Sequence, residues 1–148
     1  MGSLSNIIYG LSGVLAFSLF DYFGFNLSLN KNWADFSLFN KYRFFQATFQ
    51  VVLSVSLYFL SRWQSVAAFN IIWWTWGCDF IFYLLCEIFN YGNDRGNFKK
   101  EVSGNNVLWA WWTPYGLMFT RRGDVITKRI LITQALIGLL ISIIICFI

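Results

Sequence analysis

Histidine is absent from this 148-residue chain, proline occurs once, and charged side chains make up 12% of it, about half the roughly 25% of an ordinary soluble domain. Without histidine there is no imidazole metal site, no histidine-ligated haem and no histidine general base. Three cysteines are too few for a disulfide scaffold, and Cys78 and Cys86, about 12 Å apart along one helix, are too distant to bridge. No Gly-rich phosphate loop, nucleophile elbow or acidic metal cluster occurs, so neither a cofactor nor a metal is expected. The shortage of charge also excludes a water-soluble globule and a disordered chain. What remains is apolar: 57% of residues are hydrophobic and 22% aromatic, the composition of an integral membrane protein.

Crossing about 30 Å of hydrocarbon at about 1.5 Å per residue takes about 20 apolar residues. Four stretches approach or meet this requirement, at residues 7–25, 44–61, 66–89 and 130–148. The expected fold is all-α: a single membrane domain over residues 1–148, built as an integral membrane four-helix bundle. Between the third and fourth helices, residues 107–119 (VLWAWWTPYGLMF) are apolar, rich in tryptophan and too short to span. Such rings collect at the headgroup level, which predicts an interfacial or re-entrant aromatic segment.

The cations are shared unequally. Lys31, Lys41, Arg43, Arg95, Lys99, Lys100, Arg121, Arg122, Lys128 and Arg129 fall in or beside the first and third connections, and only Arg62 lies opposite. The positive-inside bias then puts the large loops in the cytoplasm and both termini outward or lumenal, in a bacterial inner membrane or an organelle membrane.

Ionisable groups within the spans are the strongest functional signal, because each costs at least a few kcal/mol in hydrocarbon. Asp79 lies mid-way along the third span, Glu87 about 12 Å further on, and Asp21 near the end of the first. A midplane acid with no cation near it in sequence must be neutral or paired. Asp79 is therefore a candidate general acid and Glu87, nearer water, a candidate base. At helical spacing Ile72, Trp76, Asp79, Tyr83, Cys86 and Glu87 form one stripe. The second helix presents Arg43, Gln46, Gln50 and Ser54 on one face, and the fourth adds Gln134, with Gly138 and Ser142 permitting close helix approach.

Carboxylates among aromatic rings suit a lipid-like or isoprenoid ligand. Asp79 and Glu87 would be catalytic, with Asp21, Arg43, Gln46, Gln50, Trp76, Tyr83 and Gln134 lining the cavity, and acid/base isomerisation or cyclisation is the chemistry these groups permit. Two alternatives stand beside this. The same seam also suits a structural subunit of a larger membrane complex, held in register by interhelical hydrogen bonds, or a proton or cation pathway. The expected partners are a membrane lipid or apolar small molecule, other membrane subunits, or copies of the chain, and not nucleic acid.

Overall fold

A computed structural model describes residues 2–28, 36–89, 106–107 and 126–148. The architecture is all-α. Five helices follow one another: α1 (Ser3–Ser28), α2 (Phe36–Leu60), α3 (Trp63–Trp74), α4 (Gly77–Ile88) and α5 (Lys128–Phe147). A two-residue antiparallel pairing of β1 (Asn106–Val107) with β2 (Ile126–Thr127) sets Asn106 opposite Thr127 just before α5. Apart from Val107, the aromatic segment 107–119 lies outside the described residues.

α1, α2 and α5 are each long and apolar enough to cross a membrane. Apolar residues at three- and four-residue spacing make the exposed face of α1, among them Leu4, Ile8, Leu11, Leu15, Leu19 and Phe23, while Val14, Phe17, Ser18 and Asp21 are buried. That division suits a helix with lipid on one side and protein on the other. α1 packs against all four other helices, and α3 and α5 form the most extensive pair. Close approach comes from small residues: a Cβ added at Gly10 would lie 2.9 Å from the Cβ of Ala68, and Ser142 Oγ donates across to Ala68 O at 3.1 Å. Val14, Phe17, Leu57, Phe69, Ile72 and Cys78 form the apolar core. Cys78 and Cys146 are free thiols, and the Cys86 side chain lies outside the described residues.

The third span is not the continuous helix that residues 66–89 suggest. α3 and α4 have 12 residues each, about 18 Å, too short to cross separately. They qualify only as a pair bent by 66°. The cause lies in two adjacent residues, Thr75 and Trp76, and one facing them on α5. The Thr75 hydroxyl turns back onto Ile71 O at 2.8 Å and Ile72 O at 3.3 Å. Trp76 takes a left-handed φ of 64°, a conformation that costs a bulky residue about 1–2 kcal/mol and persists only where packing fixes it. Here it is fixed by burial, since Trp76 is 1% exposed. From the other side Gly138 of α5 presses on the break: a Cβ there would overlap the Thr75 hydroxyl and lie 2.7 Å from its Cβ. The stripe from Ile72 through Trp76 to Asp79 and Tyr83 is therefore interrupted, because a helical count does not carry across the bend.

Candidate functional site

The break decides where Asp79 goes. It opens α4 two residues earlier, at Gly77, so Asp79 sits in that helix's first turn, where unpaired main-chain N–H groups favour a carboxylate. α4 is docked on α1 by two contacts beside it: Ser18 Oγ donates to Cys78 O at 3.3 Å, and the Cys78 thiol points at Val14 O at 3.9 Å. One turn beyond Ser18 on α1 comes Asp21, 7% exposed. α2 closes the group. Tyr42 Oη lies 2.8 Å from Asp21 O and also hydrogen-bonds Asp21 Oδ1; Gln46 Nε2 donates to the same carboxylate oxygen. Arg43 Nη1 donates to Gln46 Oε1 at 2.9 Å.

These side chains surround a cavity of ≈ 20 Å³ lined by Phe17, Asp21, Arg43, Gln46, Trp73, Cys78 and Asp79. That is room for about one water molecule, and far below the roughly 300 Å³ at which pockets for organic ligands begin. Asp21 and Asp79 act on each other electrostatically, and the Arg43 guanidinium acts on both. Beneath the cavity is a layer of rings. Phe17 meets Trp73 edge-on at 5.8 Å and Phe49 at 6.2 Å, and Phe20 stacks on Phe49 at 4.0 Å. Below that layer the polar groups resume as a separate set: Gln50 Nε2 donates to Asn70 Oδ1, and Asn70 Nδ2 to Ser54 Oγ at 3.0 Å and Val66 O at 2.8 Å. At the far end Ser61, Ser65 and Asn6 form a third set.

Of the residues singled out from sequence, Asp21, Arg43, Gln46 and Asp79 come together around one cavity. Gln50 does not reach the acids, since Asn70 on α3 takes it up. Trp76 and Tyr83 are buried in the packing and do not line the cavity, Tyr83 meeting Phe82 edge-on at 6.0 Å. Gln134 on α5 is half-buried and away from the cavity. The Glu87 side chain lies outside the described residues. Among the described residues no group of three His, Cys, Asp or Glu could hold a metal ion. Sequence reading missed Tyr42 and Asn70. Tyr42 had a signal, standing four residues before Gln46 on the face that continues through Gln50 and Ser54.

No protein-family model, curated protein or solved structure matches this chain.

Proposed function

We propose that the chain is a multi-pass membrane protein of four spans, the third broken, whose working site is a carboxyl pair, Asp21 and Asp79, sharing one exchangeable proton as part of a proton pathway. The observation that carries this is the cavity itself: two carboxyl groups and one guanidinium facing a space the size of a water molecule. With all three groups ionised, the described lining has one negative charge in excess. Buried among helices in a bilayer, such a charge is costly unless a positive one joins it, and a proton is the cation that fits.

Hydrogen counting supports the same assignment. Tyr42 has one hydroxyl hydrogen and two Asp21 oxygens within reach, the main-chain O and Oδ1. An ionised Asp21 offers acceptors only, so both contacts share that hydrogen. A protonated Asp21 can serve both, donating from Oδ1 to the phenol while the phenol donates to the main-chain oxygen and Oδ1 still accepts from Gln46 Nε2. The water-sized cavity then joins Asp21 to Asp79.

The lipid-binding alternative asks the same residues for a far larger space than the ≈ 20 Å³ that the described residues enclose. One set of measurements separates the two. In liposomes, infrared difference spectra across a pH titration are expected to show protonated carboxyl bands that Asp21→Asn and Asp79→Asn remove. A pyranine-loaded vesicle should show proton flux lost in Asp79→Asn while the protein stays folded. Absence of any titrating intramembrane carboxyl, with one apolar ligand per chain in native mass spectra, overturns the proposal in favour of lipid binding.

A further inference from the structure

The ring layer of Phe17, Phe20, Phe49 and Trp73 separates the Asp21–Asp79 cavity from the polar sets deeper in the bundle. The opposite side of the cavity is toward the end of α1 and the start of α2. At that end Tyr42 stands over Asp21. It is 8% exposed, its hydroxyl is on Asp21, and its ring lies against Gly24 of α1. A Cβ at Gly24 would come 3.3 Å from Tyr42 Cε2 and 3.5 Å from its hydroxyl. Gly24 thus leaves the slot in which the ring lies flat enough to reach Asp21, one helical turn away.

We propose that Tyr42 is the gate of this site: its ring, seated on Gly24 and latched to Asp21 by its hydroxyl, covers Asp21, and its rotation off Gly24 admits the proton. This rests on the one-proton reading of the Asp21–Asp79 pair and names how that site is controlled. The gate lies on Asp21 of α1, whose carboxylate also holds Gln46 and through it Arg43 on α2, and the cavity beyond Asp21 is lined by Cys78 and Asp79 of α4. Two features make the latch releasable. The hydroxyl bonds named above are both to one residue of α1, Asp21, and Tyr42 lies next to Lys41, which is exposed, at the edge of the apolar part of α2.

Two carbodiimides test this on the full-length protein in liposomes. A carboxylic acid adds across a carbodiimide C=N bond, its oxygen joining the central carbon and its proton a nitrogen, and the adduct is read at Asp21 by peptide mass spectrometry. Dicyclohexylcarbodiimide enters through the bilayer and reports whether the pair holds a proton at all. A water-soluble cationic carbodiimide reports whether Asp21 is open to water. The expected result is wild type labelled by the first and protected from the second. Tyr42→Ala should raise labelling by the second about tenfold, the change for a state populated at roughly 10% becoming dominant. Tyr42→Phe, which keeps the ring and loses the latch, should fall between, and Gly24→Ala should resemble it by displacing the ring.

Maleimide reactivity of Cys146, buried on α5 against Gln64 O and outside this cavity, distinguishes local opening from loss of the fold. It should stay unchanged in Tyr42→Phe and Gly24→Ala. Equal protection of Asp21 in wild type and all three variants overturns the gate while leaving the proton site standing; so does labelling that rises only together with Cys146. Failure of dicyclohexylcarbodiimide to label either acid overturns the proton site instead.

Discussion

Asn70 shows what a single polar side chain does in this bundle. It accepts from Gln50 and donates to Ser54 and to Val66 O, tying α2 to α3. Interhelical hydrogen bonds in membranes average under about 1 kcal/mol each, but removing Asn70 also leaves the Gln50 amide unsatisfied. Asn70→Leu should therefore lower stability by about 2 kcal/mol, read as a fall in the thermal midpoint in detergent. Gln134→Leu, at a half-buried site away from these networks, should stay within about 0.5 kcal/mol of wild type. At this scale the site was largely legible. Asp21, Arg43, Gln46 and Asp79 stand out because ionisable and amide groups are rare in apolar runs. Asn70 and Tyr42 were not, because a polar residue in a span announces a partner without naming it, and a tyrosine at a span boundary reads equally well as a belt residue.

Among the elements, the junction of α3 and α4 has the most consequences. It depends on Gly138 having no side chain, since α5 meets Thr75 there with no room for a Cβ. Gly138→Ala should cost about 1–3 kcal/mol, the usual range for overpacking. Adding Thr75→Ala should recover part of that loss, because the two side chains compete for one space. The pair is then non-additive by more than about 0.5 kcal/mol, which a double-mutant cycle of thermal midpoints in detergent measures. The four apolar stretches were plain from length and hydropathy, and three of them are helices long enough to span. The break was hidden for a specific reason. Left-handed helix ends normally carry glycine, and here Trp76 takes that conformation while Gly77 opens the next helix. Composition places the signal one residue late, and nothing local reveals that α5 would press against Thr75.

For the whole molecule, charge distribution makes the sharpest prediction. With Arg62 the sole cation on its side, both termini should face outward or into a lumen and the large loops the cytoplasm. Gly2→Cys and Gly96→Cys, in a background lacking the three native cysteines, provide the check in sealed, right-side-out vesicles. A membrane-impermeant maleimide should label the first at once and the second only after permeabilisation; the reverse pattern would invert the assignment. Such an inversion would also turn the Tyr42 end of the site toward the opposite compartment, without altering its internal contacts.

The face of α2 that is turned inward is its wet one. Tyr42, Gln46, Gln50 and Ser54 look into the protein, and Phe44, Phe45, Val51, Val52, Val55 and Phe59 are left outside. α2 is also the least apolar of the three long spans, so by itself it is a poor candidate for release into lipid from a translocation channel. Its phenol and its first amide find their acceptors on α1, the segment synthesised just before it. In the proposed membrane protein, biogenesis therefore favours delivery of these two helices to the bilayer as a hairpin, already zipped together at Asp21.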